Sequence, residues 1–253
     1  MPDRIRLLAV GAHVADVPKR AGGTLARYVK EGHKVFVATL SFGETMESYL
    51  LWRKKPGITI EEVRAIRERE FLESCRILGA EPLMLRFEDN FPLHPLPKDA
   101  PEKVAELIRR IRPHILLTHW ILELYDDHRI TGKLVSTIAR DMAADPKSLE
   151  GRGLEPWSVE DVYFFEPSIG EADPSRFIPD LYIDISDVWE RKLECLKPFW
   201  FSQTDVSDYY TQAALYCGAQ VGVKYAERFA QHRIGRVFRL FPKPRISEEK
   251  NSP

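Results

Sequence analysis

Cysteine, long apolar runs and excess charge of either sign are all scarce in this chain. Its three cysteines, Cys75, Cys195 and Cys217, are odd in number and lack C-x-x-C spacing, so they read as reduced, interior thiols of a cytoplasmic protein. No apolar run approaches bilayer length, and the run before Gly11 is too short for a signal-peptide core. A net charge of -1, with 30% charged residues, leaves no broad basic surface for nucleic acid or an anionic membrane. The G-x-G-x-x-G turn of dinucleotide-binding folds is missing, since Gly11, Gly22 and Gly23 do not have that spacing; Glu44 after the second apolar run is thin support for it. Internal repeats are absent too. What remains, at 253 residues, is enough for one α/β domain over residues 1–242, followed by a disordered tail over 243–253.

The stretch Ile5 to Glu44 organises the rest. An apolar run, Ile5 to Val10, breaks at Gly11 and passes a polar segment holding His13 and Asp16. After Gly22-Gly23 comes a helical segment from Thr24 to Lys30, stopped by Gly32, and then a second apolar run from Val35 to Leu40. That is the length of a strand-helix-strand unit with parallel strands. Parallel strands present their carboxyl ends to one edge, where α/β proteins bind ligands. His13 and Asp16 follow the first strand at that edge, and Ser41 to Glu44 follow the second.

Further along, Thr45 to Gly57 mixes aromatics, bases and a Pro-Gly break and reads as a loop or lid. Thr59 with Glu62 is a capping-box pattern opening a helix to Leu78, stopped at Gly79. Strands are expected at Leu83 to Phe87, Ile115 to Thr118, Val162 to Phe165, Tyr182 to Ile185 and, as a last edge, Val237 to Phe241. Asn90 to Lys98 and residues 145–160 read as loops. Helical stripes follow Asp99 and run from Ile130 to Met142, with His128 at the start of the second. Asp187 caps another helix through Leu196, and much of Gln203 to Tyr225 reads as helical. Its aromatic stretch from Trp200 to Tyr216 suits a pocket wall or a homo-oligomer interface equally. The fold class is α/β: a Rossmann-like, mostly parallel sheet with helices on both faces.

Three residues on the expected edge, His13, Asp16 and His128, are of zinc-ligand type. Three protein ligands and one open position are what a catalytic zinc requires, though a His₂-Asp set accepts other divalent ions as well. His119 also ends a strand at this edge and reads as a hydrogen-bonding support. His33, His94, His114 and His232 belong to no such group.

The run AVGAHVADVPKRAGGTLARYVKEGHKV resembles the opening of the LmbE-like, or PIG-L, superfamily of zinc enzymes, whose usual form is AHPDD followed by GGTLA. Arg67, Glu70 and Leu78-Gly79 resemble its R-x-x-E helix ending in LG. Asp127-His128 with Gly132 resembles its HPDH segment, and Arg176 to Gln203 its late strand and helix ending in S-x-x-Q. The resemblance implies one zinc per chain, held by His13, Asp16 and His128. In the family's N-deacetylases the third residue of HPDD is an aspartate serving as general base; here that position is Ala15, and the first histidine of HPDH is Tyr125.

The superfamily's 4-oxalomesaconate hydratases are similar over more features: an HxAD segment, an R-AGG turn, an SFGE…ES…LWRK stretch like Ser41 to Lys54, and an FEP like Phe165-Glu166-Pro167, after which this chain has Ser168 where they have histidine. This branch adds water to a carbon–carbon double bond conjugated to a carbonyl in a small polycarboxylate. The expectation is therefore a zinc-dependent hydratase acting on a small anionic molecule, with Glu44, Glu47, Tyr125 and Asp127 as catalytic candidates and Arg20, Arg53, Lys54 and Glu166 as substrate-binding candidates. The alternative is a zinc-dependent N-deacetylase with a substitute base. A third class is a non-catalytic relative, against which the retention of all three presumed ligands weighs.

Overall fold

A computed structural model describes residues 4–89 and 96–232. Seven strands form one sheet in the order β3-β2-β1-β4-β5-β7-β6. These are β1 (Arg6–Gly11), β2 (Lys34–Thr39), β3 (Glu81–Met84), β4 (Ile115–Thr118), β5 (Asp161–Phe165), β6 (Leu181–Asp184) and β7 (Ala226–Gln231). The first five are parallel, in register Leu7 with Val35 on one side and Leu7 with Ile115 on the other. β7 enters antiparallel between β5 and β6. Its sequence, AERFAQ, carries too many polar residues to be read as a strand, and it is a strand because both neighbours pair with it.

Seven α-helices accompany the sheet among the described residues: α1 (Asp16–Lys30), α2 (Tyr49–Lys54), α3 (Ile60–Leu78), α4 (Ala100–Ile111), α5 (Asp126–Arg140), α6 (Trp189–Glu194) and α7 (Ser207–Val221). Strand alternation splits the core into two layers. Leu7 and Ala9 pack with Leu25, Phe71 and Trp189 on one face, while Leu8 and Val10 pack with Val104, Ile108 and Val135 on the other. The capping box at Thr59 is formed, and Gly79 ends α3 in the left-handed conformation with φ +77°. All three cysteines are buried and unpaired.

Three expectations need correction. α1 starts at Asp16, not Thr24, and Gly22-Gly23 lie inside it. These glycines serve close packing: a Cβ on Gly23 would come within 2.6 Å of Ile185, and one on Gly22 within 3.2 Å of Cys195 Sγ and Lys192. Thr45 to Gly57 is not a plain loop, because Met46–Ser48 forms a 3₁₀ turn and α2 follows, pinned by buried Leu51 and by Trp52 Nε1 donating to the Glu44 carbonyl at 2.9 Å. β3 lies two residues earlier than expected. The expected strand at Val237 to Phe241, most of the Asn90 to Lys98 loop and the tail over 243–253 lie outside the described residues. Among the described residues no helix is long and apolar enough to cross a membrane.

A buried ion pair between α6 and β7 is bonded to the backbone of α1. Lys192 Nζ donates to the carbonyls of Pro18 and Lys19, at 2.8 and 2.5 Å, and pairs with Glu227 Oε1 at 2.8 Å. The Glu227 carboxylate in turn accepts from the amides of Gly23 and Thr24, at 3.0 and 2.7 Å. Charged side chains thus bond to the backbone of α1 beside the turn that carries Lys19 and Arg20.

Candidate active site

The chain passes from β1 through β2 to β3 on one side, then crosses to β4 on the other side of β1. The carboxyl ends of β1 and β4 therefore flank the switch point of the sheet, where open α/β sheets bind ligands. Each of the first five strands delivers side chains there: His13 and Asp16 after β1, Glu47 after β2, Asp89 after β3, His119, Glu123, Asp127 and His128 after β4, and Ser168 after β5. A cavity of about 340 Å³ opens onto this edge, lined by His13, Asp16, Glu47, Asp127 and His128 among others.

His13, Asp16 and His128 come together as expected, with candidate ligand atoms within 4.8 Å of one another. Asp16 sits in the first turn of α1, and its Oδ2 accepts the His13 amide at 2.7 Å. His13 Nε2 lies 3.3 Å from Asp127 Oδ2 and 3.4 Å from Asp89 Oδ1, while its Nδ1 is buried and has no hydrogen-bond partner. On His128, Nδ1 is taken by Glu123 Oε1 at 2.7 Å, leaving Nε2 3.3 Å from Asp16 Oδ1. Each imidazole is thus held on one nitrogen by a carboxylate and presents the other toward Asp16. Metal-ligating histidines have this arrangement, and the buried Nδ1 of His13, without a hydrogen bond and 3.5 Å from Asp16 Oδ2, is the atom a divalent ion would satisfy. The residues fit a three-ligand metal centre.

The other two metal-competent groups, His119-Glu123-His128 and His13-Asp89-Asp127, use the far nitrogens of the same histidines. His119 behaves as support: its Nε2 accepts from the Ala12 amide at 3.1 Å, its Nδ1 lies 3.2 Å from Glu123 Oε2, and its ring stacks on His128 at 4.2 Å. Burial opposes protonation of His128, but Asp16 and then Glu123 outweigh it, pushing its pKa up to about 9. Burial opposes ionisation of Asp16 as well, and His128, His119 and Arg20 more than offset that, holding it well below the usual carboxylate range.

Of the expected catalytic residues, Glu47, Tyr125 and Asp127 line the cavity and Glu44 does not. Glu44 is fully buried behind it, where its Oε1 accepts from Arg64 Nε at 2.7 Å and from the Asp89 amide at 3.3 Å. Glu47 is held by Gln203, whose Nε2 donates to its carbonyl at 2.9 Å and to its carboxylate. Burial would raise the Glu47 pKa, yet Lys19 and then His13 draw it down to about 2. Tyr125, 54% exposed, stands at the mouth with its ring 5.6 Å from that of His128.

Of the expected substrate-binding residues, only Arg20 lines the main cavity. Its Nη1 donates to Asp16 Oδ1 at 2.9 Å and its Nη2 to Ser168 Oγ at 2.7 Å. Arg53 and Lys54 project outward because α2 buries Leu51 instead, and Lys54 Nζ donates to the Phe201 carbonyl at 3.1 Å. Glu166 pairs with Arg228 beside a neighbouring space of about 30 Å³. Sequence reasoning missed Asp89, Glu123, Lys19 and Gln203. Asp89 and Glu123 follow β3 and β4 at the carboxyl edge, so the edge rule applied to every strand would have found both.

A family model described as PIG-L, GlcNAc-PI de-N-acetylase, matches residues 8–139. The chain belongs to the PIG-L family. A 4-oxalmesaconate hydratase from Pseudomonas putida is 33% identical over 84% of this chain and 80% of its own. The crystal structure of GalB, the 4-carboxy-2-hydroxymuconate hydratase from Pseudomonas putida KT2440, superposes with a TM-score of 0.78 at 27% identity, covering 94% of this chain and 100% of that one. A mycothiol S-conjugate amidase from Streptomyces coelicolor is 34% identical over 63% of this chain and 61% of its own. The sheet and the helices on both its faces are thus those of a family that contains both hydratases and amide-cleaving enzymes.

Proposed function

We propose that this chain is a zinc-dependent hydratase that adds water to a small unsaturated keto polycarboxylate of the 4-oxalomesaconate type. The observation that carries the reading is the pairing of an intact His13-Asp16-His128 centre with Glu47, and not residue 15, as the carboxylate available for proton transfer. Ala15 is fully buried and has no group to titrate. Hydratase similarity over most of each chain, in sequence and in structure, supports it.

A bound zinc ion would polarise a substrate carbonyl or carboxylate oxygen as a Lewis acid. Glu47 would accept a proton from the attacking water at a carboxylate oxygen as the water oxygen bonds to one alkene carbon. The adjacent carbon then takes a proton from Glu47, or from the Tyr125 hydroxyl, to which Glu47 then passes its own proton, so that one water is added in all. Gln203 fixes the Glu47 carboxylate from the side, in the ionised form that accepts a proton. Arg20, tied to Asp16 and Ser168, holds the ligand carboxylate in place.

Amide hydrolysis is the second reading. The observation favouring it is Asp127, a further carboxylate that lines the cavity, 3.3 Å from His13 Nε2. One assay separates the two. Hydration consumes the conjugated absorbance of 4-oxalomesaconate without releasing acetate, whereas deacetylation releases acetate from N-acetyl sugars. Acetate release with unchanged absorbance would overturn the hydratase reading.

A further inference from the structure

Two cations line the cavity, and their existing commitments differ. The Arg20 guanidinium is engaged with Asp16 and Ser168 and lies 3.6 Å from Glu123. Lys19, the preceding residue of α1, has a side chain only 17% exposed and a single ion-pair partner among the described residues, Glu47 Oε2 at 3.8 Å. That separation exceeds hydrogen-bond range. Lys19 helps to keep Glu47 ionised, but Gln203 is what holds the Glu47 carbonyl and carboxylate in place. An ammonium group carries three donors and no acceptor, and none of the three has a hydrogen-bond partner within 3.5 Å among the described residues. Burial draws the Lys19 pKa down, which an additional anion beside it would relieve.

We propose that Lys19 is the specificity-determining cation of this cavity, taking a substrate carboxylate remote from the metal centre, so that the site selects small molecules with two anionic ends. The inference rests on the hydratase reading for the identity of the substrate, and on geometry for the role of the residue. Asp16 and Lys19 are three residues apart on α1, a spacing that puts their Cβ atoms about 5–6 Å apart on one helix face. A molecule with one oxygen at the metal centre and a second carboxylate at Lys19 therefore needs a carbon chain only a few atoms long. Arg20 does not fill this role, since its fork is spent on the ligand carboxylate and on Ser168.

The test uses the zinc-loaded full chain and tricarballylate, a saturated tricarboxylate that cannot be hydrated, with its neutral triamide as the control. Calorimetric titration should show tricarballylate binding weakened roughly 10–100-fold in Lys19→Gln, the loss expected for one charged hydrogen bond, and largely kept in Lys19→Arg. The triamide should not distinguish wild type from variant. An unchanged dissociation constant in Lys19→Gln, or no binding of tricarballylate by the wild type, overturns the assignment. Turnover of 4-oxalomesaconate separates the two claims. Loss of anion binding in Lys19→Gln without any hydration by the wild type sinks the hydratase reading and supports the anchor, while hydration with an unaltered KM in Lys19→Gln sinks the anchor alone.

Discussion

Glu123 Oε1 lies 2.7 Å from His128 Nδ1 and also accepts from the Ser168 amide and hydroxyl, at 2.9 and 2.6 Å. The contact fixes the imidazole so that Nε2 faces Asp16. Glu123→Gln should therefore lower metal affinity by about 10–100-fold while leaving the fold intact. Chelator competition measures this, and wild-type affinity in the variant would show that Glu123 does not orient the ligand.

Glu47 and Glu44 are three residues apart and lead different lives. Glu47→Gln should reduce turnover by about 10²–10⁴-fold, as loss of a general base does, with metal content unchanged. Glu44→Gln should spare the chemical step and lower the melting temperature, because Glu44 ties Arg64 to the backbone of Asp89. The opposite pattern, inactive Glu44→Gln and active Glu47→Gln, would reverse the assignment.

The Lys192–Glu227 pair gives a stability prediction. Removing one partner strands a buried charge, so Glu227→Ala should cost about 3–5 kcal/mol. The variant also frees the Gly23 and Thr24 amides. Lys192→Met combined with Glu227→Gln should recover part of the loss in denaturant unfolding. A cost below about 1 kcal/mol for Glu227→Ala would mean the helix closes its own bonds there.

Ala15→Asp tests the second reading. Ala15 belongs to the buried core beside Val14 and Val17, so an added carboxylate there must be desolvated. The variant should melt at a lower temperature and gain nothing in hydration rate. A faster hydration would show that a carboxylate at residue 15 serves the reaction better than Glu47 alone.

The sheet's parallel half was legible because Ile5 to Val10 and Val35 to Leu40 are apolar apart from Arg6 and Thr39, and strands buried on both faces need such runs. β7 was not legible: Glu227 and Arg228 interrupt its apolar pattern, and what makes it a strand is pairing with β5 and β6. The early start of α1 was hidden by Pro18 and by Gly22-Gly23, which look like turn residues until Ile185 and Lys192 are seen packed against them. In the site, strand ends alone placed His13, Asp16 and His128 together. Glu44 and Glu47 could not be told apart from sequence, since the 3₁₀ turn at Met46–Ser48 decides which of them faces the cavity. Arg53 and Lys54 looked like carboxylate binders by charge, but the side on which α2 buries Leu51 turns them to solvent.

Metal content per chain, measured for the purified wild type beside His128→Ala, tests the central claim most directly. The account predicts about one zinc or other divalent ion in the wild type, and its loss in the variant with the fold retained. A wild type that takes up no metal after reconstitution would contradict the assignment of His13, Asp16 and His128, and with it the hydratase chemistry built on them.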